Sequence, residues 1–590
     1  MTDGTPGQVT RFASGKRHLD AWSATGADWV GRFAPGGAIS LRHMVALWTV
    51  TAVHVAALII MADTEGDLVA KTAFLLAWIL LNLFWLALLR RPVVAAIISF
   101  ELVIALILLS RFKYDMLWMT ADFVDLMIID KDTSEFLLKA IPSLKVWIAL
   151  GAALTIALVI AAWKLDPLRL RIRNCVVGGS AGMSGLVVLS LAFPTGLTED
   201  FNGERYISKI ARTGVESMHE LITHGYLESD AVATESLKAM PFAACNPAAK
   251  LPHIILLHDE SNFDITAVPG MKVPAGYHRH FQSLDGKARK LVVEGAGGPS
   301  WFTEYNVLTG LASRSYGRFA TSVTRIAAGR VGRGLPLSLS RCGYKTFTLY
   351  PFYGAFLGSR SFQTTAGVER YLDMSDLGTR NFEADSFYFN QAADIIGRER
   401  SNGPLFLYVY TVANHFPWDT RLRPELTPDW RDLGNAPDSE EYIRRQGMTA
   451  HDYGAFLERL ARENPRESFL IVRYGDHLPH FGLRIVDSTI SEVELARRLN
   501  AQDPRYYATY YAIDSVNFTP ADLSAALDTL DAPYLPLIVQ EAAGVPLDQS
   551  FTEQKKILKR CHGLFYRCAG GAEARRFNRL LIDAGLIKGL

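Results

Sequence analysis

Hydrophobic positions fall into two regimes along the chain. Before residue 194 they form long unbroken runs, and after it they form short runs separated by polar, periodic stretches. A helix that crosses a bilayer needs about 20 mostly apolar residues. Five segments meet that length: His43–Ala62, Val69–Leu89, Pro92–Ser110, Leu144–Trp163 and Cys175–Phe193. Beyond residue 250 the short runs His253–Leu257, Lys290–Val293, Thr346–Tyr350, Leu405–Tyr410 and Phe469–Arg473 predict strands. Helical stretches such as Phe387–Arg398 and Tyr453–Glu463 lie between them. The alternation predicts a mainly parallel sheet between helices, that is, an α/β domain behind an α-helical five-span membrane domain.

These patterns divide the chain into a cytoplasmic N-terminal segment (1–42), a transmembrane domain (43–193), a partly helical linker (194–250) and a globular domain (251–590). Arg11, Lys16, Arg17, Arg32 and Arg42 precede the first span. Arg90 and Arg91 separate spans two and three, and Lys164, Arg169, Arg171 and Arg173 separate spans four and five. Basic residues stay on the cytoplasmic side, so five spans put the globular domain outside the cytoplasm. The first span has no cleavage pattern before it and is expected to remain as an anchor. Glu101 is the acid inside a span; it either hydrogen-bonds a neighbouring helix or has a function of its own. The loop 111–142, with Trp118, Phe123 and Leu126–Ile129, is expected outside, either as a helix in the interface or as a platform for lipid head groups.

Composition adds exclusions. The 590 residues are 49% hydrophobic, and 61 basic against 60 acidic side chains leave a net charge of +1. No basic excess points to a nucleic-acid partner. Five cysteines are too few for a disulfide scaffold. Cys175 lies in a span, whereas Cys245, Cys342, Cys561 and Cys568 fall on the oxidising side, where a bridge between Cys561 and Cys568 is open.

Ligands of α/β sheets bind beyond the carboxyl ends of the strands. Four predicted strand ends carry candidate chemistry: His258-Asp259-Glu260-Ser261, Glu294 to Ser300, Asn414-His415-Phe416-Pro417-Trp418, and Asp476-His477-Leu478-Pro479-His480. Glu260, Asp476 and His477 suit one divalent ion, Mn²⁺ or Zn²⁺, with Ser300 as a further oxygen ligand. Ser300 at the start of a helix would be the nucleophile, beside N–H groups that favour a phosphate. Each residue also has an ordinary role open to it: Ser300 as a helix cap, Asp476-His477 as a turn, Glu260 as a loop acid, His415 as a packed histidine. Their coincidence at one sheet edge favours a site.

The ordered segments HDESNFD (258–264), GGPSWFTEY (297–305), NHFPW (414–418) and GDHLP (475–479) resemble the alkaline-phosphatase-like, or sulfatase-like, superfamily. Five spans before such a domain resemble lipoteichoic acid synthases, phosphoglycerol transferases and phosphoethanolamine transferases. The resemblance implies metal ligands at Glu260, Asp476 and His477, a nucleophile at Ser300 where threonine is usual, and a phosphate contact at His415, with His480 beside it. Glu304 matches an acidic position of the synthases. Tyr350 stands at their histidine, and Arg360 stands one place from their arginine. With Trp418, these are the expected substrate contacts. The proline and arginine of the sulfatase C/S-x-P-x-R signature are missing after Ser300, so a true sulfatase is not expected. The implied activity is transfer of a phospholipid head group, phosphoglycerol from phosphatidylglycerol foremost, through Ser300 to a glycan or glycolipid. Phosphoethanolamine transfer, phosphodiester hydrolysis and a non-catalytic membrane-tethered regulator are the alternatives.

Overall fold

The computed structural model describes residues 40–589 apart from 118, 130, 170–171, 197–198, 200–202, 231–236, 238–244 and 246–249. Most of the expected cytoplasmic segment, with Arg11, Lys16, Arg17 and Arg32, lies outside the described residues, as does Trp118. The chain forms two compact units: Met1–Leu106 with Ala149–Gly185, and Ile107–Ile148 with Leu186–Leu590.

Among the described residues five helices are long and apolar enough to cross a membrane: α1 (Leu41–Thr64), α2 (Leu68–Leu89), α3 (Pro92–Leu117), and, after two short helices, α6 (Leu144–Leu165) and α7 (Ile172–Ala192). In the first unit, Gly178, Gly182 and Gly185 of α7 face Leu83, Leu80 and Leu76 of α2. Small residues at this spacing let membrane helices approach closely. Arg91 donates to the carbonyls of Trp163 and Asp166, and the Asp166 carboxylate accepts from the Val93 N–H at 2.8 Å.

The short helices α4 (Phe123–Met127) and α5 (Lys131–Ala140) belong to the second unit, with the linker helix α8 (Tyr206–His224). Lys209 of α8 is buried and donates to the Thr120 carbonyl and hydroxyl at 3.0 and 2.8 Å. The Phe123 N–H bonds Thr213 at 3.0 Å. Phe136 of α5 packs edge-on against Phe352 and close to Phe356. The loop between spans three and four is thus folded onto the α/β unit.

That unit holds one eight-stranded sheet in the order β4-β3-β5-β1-β6-β7-β2-β8. The strands are β1 (His253–Asp259), β2 (Arg289–Val292), β3 (Lys345–Leu349), β4 (Arg370–Leu372), β5 (Leu405–Thr411), β6 (Phe469–Gly475), β7 (Ala508–Val516) and β8 (Thr529–Asp531). The run from β4 to β6 is parallel; β7 is antiparallel to both its neighbours. Every residue of β1, β5 and β6 is buried, as a parallel strand covered on both faces requires. Ile254, Leu256, Phe406 and Leu470 face one core with Tyr305 and Leu308 of α9 (Ser300–Thr309). Ile255, Leu257, Leu407 and Ile471 face the other, with Phe389 of α10 (Asp385–Glu399) and Phe456 of α11 (Pro437–Glu463). Disulfides join Cys245 to Cys342 and Cys561 to Cys568, while Cys175 is a buried free thiol.

Candidate functional site

The adjacent parallel strands β1 and β6 end level with one another, His258 opposite Tyr474 and Asp259 opposite Gly475. Glu260 and Asp476 leave the sheet one residue later on each strand, which sets two carboxylates side by side. The crossing is close: a Cβ on Gly475 would lie 1.7 Å from the Asn262 carbonyl oxygen, so only glycine fits. Ser261 takes the left-handed conformation at φ 51° and turns its N–H onto Asp476 Oδ1 at 2.7 Å. The His477 N–H bonds the same oxygen at 2.9 Å.

Ser300 opens α9 after the turn at Gly297 and Pro299. Its Oγ lies 3.1 and 3.3 Å from the Glu260 carboxylate oxygens and 3.2 Å from His477 Nε2. The His477 Nδ1 is 2.8 Å from the Leu478 carbonyl, so Nδ1–H is donated there and Nε2 is turned to the cluster. His477 Nε2 stands 3.3 Å from Asp476 Oδ2 and 3.5 Å from Glu260 Oε1. His258 enters from below, with Nε2 3.1 Å from Asp476 Oδ2 and 3.6 Å from Glu260 Oε2. Neither His258 Nε2 nor Asp476 Oδ2 completes a hydrogen bond of acceptable direction, although both are buried. Such orphaned buried atoms are costly unless something joins them.

The electrostatics agree with a cation. Burial alone would raise the Glu260 carboxyl; His258 and His477, with His415 further off, hold it well below the ordinary carboxylate range. Burial works against charge on His258 and His477, yet Asp476 and Glu260 raise each to about 9. A proton on each ring stands in for positive charge that the carboxylates demand. His258, Glu260 and Asp476 together can hold a metal ion.

The other expected contacts are placed unequally. His415 stacks on Phe416 and near Phe382, and its Nδ1 is engaged by the Phe416 carbonyl at 2.7 Å. The loop carrying it is pinned by Arg445 of α11, which donates to the His415, Pro417 and Thr420 carbonyls. The His480 ring lies beside Gly297, where a glycine Cβ would meet its Nδ1 at 3.5 Å. Glu304 is buried one helical turn behind Ser300 and accepts from Tyr410, Gln363 and Ser359. Tyr350 is buried against Tyr371 and Tyr410 in that rear layer. Arg360 is turned aside: Asp373, Asp376 and the Tyr371 carbonyl occupy its guanidinium. Trp418 packs with Tyr442 and Phe481, and its Nε1–H donates to the Asn414 carbonyl, so it serves the loop's core. The sequence places His258 at a strand end, but its part in the cluster was not read from it. Its signal was present, since period-two alternation puts 258 and 260 on one side of a strand.

Residues 299–508 match the family model described as Sulfatase. The match lies wholly within the α/β unit. No curated protein matches the chain. Among solved structures, the lipoteichoic acid synthase LtaP from Listeria monocytogenes is similar at 16% identity and a TM-score of 0.40, covering 51% of this chain and 74% of that one. The Streptococcus pyogenes phosphoglycerol transferase GacH, in complex with sn-glycerol-1-phosphate, is similar at 16% identity and 0.45, covering 58% and 88%. The lipooligosaccharide phosphoethanolamine transferase EptA from Neisseria meningitidis is similar at 11% identity and 0.40, covering 81% and 96%.

Proposed function

We propose that this sulfatase-like domain transfers a phospholipid head group, phosphoglycerol from phosphatidylglycerol foremost, through a covalent Ser300 intermediate to a glycan or glycolipid. The observation that carries the reading is the placement of Ser300 Oγ at the start of α9, within 3.3 Å of Glu260 and His477. A cap serine would bond its own helix; this one points at a carboxylate and an imidazole.

In this reading Glu260, Asp476 and His477 hold one divalent ion, Mn²⁺ or Zn²⁺, with Ser300 Oγ beside them. Such an ion would lower the proton affinity of the hydroxyl and neutralise charge on the phosphoryl group. Ser300 Oγ attacks phosphorus, the Oγ–P bond forms, and the P–O bond to diacylglycerol breaks. The serine proton ends on the departing diacylglycerol hydroxyl. An acceptor hydroxyl then attacks, the Oγ–P bond breaks, and the acceptor's proton returns to Ser300. In this reading His415 and His480 hold the phosphoryl oxygens or pass protons. Anchoring by five spans keeps the domain near its lipid donor and raises the effective donor concentration. The two disulfides favour an oxidising, periplasmic location for the domain.

The test is intact mass of the purified protein after incubation with phosphatidylglycerol or phosphatidylethanolamine. A phosphoglycerol increment on the Ser300 peptide supports the reading, and a phosphoethanolamine increment moves the donor. No increment from either lipid, with head groups released into water, supports a hydrolase instead.

A further inference from the structure

A second cleft opens at the ends of β2 and β8, on the edge of the sheet that carries Ser300. These two strands are parallel, with Val292 opposite Asp531. Thr509 near the start of β7 joins this part of the edge to the site, because its Oγ1 donates to the Gly475 carbonyl at 2.7 Å. Glu294, Arg314, Tyr507, Asp531, Tyr566 and Arg567 line the cleft. Glu294 begins the loop that leads to Ser300. Its Oε2 takes the Asn306 amide of α9 at 2.7 Å and the Ser313 N–H and hydroxyl at 2.6 Å each, which fixes this wall of the cleft to the helix of Ser300.

Asp531 at the back of the cleft is 7% exposed. Its Oδ2 accepts the Phe565 N–H at 2.6 Å, whereas Oδ1 is buried without a hydrogen-bond partner. An acceptor left unmade in this way is costly until a donor reaches it. Burial raises the Asp531 carboxyl to about 7, with Glu294 adding to the rise and Arg567 and Arg314 opposing it. The two arginines have donors to spare. Arg314 lies over the Tyr507 ring and donates to the Glu294 carbonyl at 2.9 Å, and Arg567 donates to the Gln502 carbonyl at 3.0 Å. A guanidinium carries five N–H groups.

Two acids and two arginines balance, so the cleft favours neither a metal ion nor a phosphate. A hydroxyl suits it better, since it donates to a carboxylate and accepts from a guanidinium at once. The enclosed part measures about 20 Å³, room for one water-sized group, and its mouth is open. Tyr566, half-buried at that mouth, offers an apolar ring face beside the charged groups. One hydroxyl inside and a ring across the mouth describe a sugar.

We propose that the cleft binds one neutral sugar residue of a glycan, with a hydroxyl donating to Asp531 Oδ1 and accepting from Arg567. Its role as a subsite for the acceptor rests on the transfer proposed above; the binding itself does not.

The test is saturation-transfer nuclear magnetic resonance on the full chain in nanodiscs free of glycoside detergent. The probes are neutral oligosaccharides of glucose, galactose, mannose, rhamnose and N-acetylglucosamine. At least one should take up saturation, strongest on a single sugar residue. Asp531→Asn and Arg567→Ala should each weaken that oligosaccharide about tenfold, and Ser300→Ala should bind it as the unaltered chain does. No saturation of any probe overturns the proposal and leaves a cleft that holds water only. Undiminished binding in either cleft variant, or loss of binding in Ser300→Ala, also overturns it, because the sugar then sits elsewhere. Arg567 is half-buried at the surface, so its variant decides where Asp531→Asn does not fold. The intact-mass experiment is independent: no increment on Ser300 removes the transfer and the acceptor role, while the sugar site stands.

Discussion

Thr303 Oγ1 donates to the Asp476 backbone carbonyl at 2.7 Å, and both residues are fully buried. This bond ties the first turn of α9 to the end of β6, so the hydroxyl of Ser300 and the carboxylate of Asp476 share one rigid mount. Thr303→Val keeps the shape and orphans the carbonyl. We expect a cost of about 1–3 kcal/mol, read as a lower Tm. Transfer should fall further than the Tm alone explains, because the mount loosens. Unchanged transfer in a destabilised variant would separate the two elements functionally.

Ser300 distinguishes cap from nucleophile. As a cap it would cost about 0.5–2 kcal/mol when replaced by alanine and leave turnover largely intact. As nucleophile, Ser300→Ala keeps the fold and loses nearly all transfer, and Ser300→Thr retains part of it. Thr303 cannot substitute, since its hydroxyl is committed to Asp476. Transfer rate and Tm measured together on both variants check this, and an alanine variant with near-normal transfer rules the nucleophile out.

Elemental analysis checks the ion. The unaltered chain should carry one divalent ion, and Glu260→Ala and Asp476→Asn should each carry less. Each variant removes one of two buried negative charges that face the same point. Full metal content in both would remove these residues from the ligand set.

Asp385 predicts a pH dependence away from the metal. It accepts from the Val412 and Ala413 N–H groups and from Thr449, at the base of the His415 loop. Burial, reinforced by Asp259, raises its carboxyl to about 7. A folded value above the unfolded one gives stability that is complete below about pH 4 and is lost as pH rises through 7. The amount is on the order of 4 kcal/mol. Asp385→Asn keeps the acceptor without the charge, so it should gain on the unaltered protein between pH 5 and pH 8. Tm values of both proteins at the two pH values are the measurement, and parallel profiles would refute the assignment.

The sheet was legible where burial is complete. β1, β5 and β6 are continuous apolar runs because helices cover both faces, and their ends named Glu260, His415, Asp476 and His477. β7 was not read: Thr509, Asp514 and Ser515 interrupt its apolar run, and an antiparallel strand breaks the alternation of strand and helix. The first half of α11 was missed for a different reason. Glu441, Arg444 and Arg445 look like a solvated face, yet they are buried in mutual ion pairs and in bonds to loop carbonyls. The apolar run stops at Leu257, whereas the strand continues to Asp259, so His258 lies within the sheet rather than in the loop beyond it. Arg360 and Trp418 have the side chains of a binding site, and only their neighbours in space show that both are spoken for.

The bond between Cys245 and Cys342 closes a covalent ring 97 residues around, and Glu260 and Ser300 both lie on it. Asp476 and His477 lie off it. A ring of this size removes unfolded-state freedom worth about 4–5 kcal/mol, comparable with the net stability of a whole domain. A chain held in a reducing compartment would lack that support. Its two halves of the site would then come together less often, so reducing this one bond should loosen the site together with the fold.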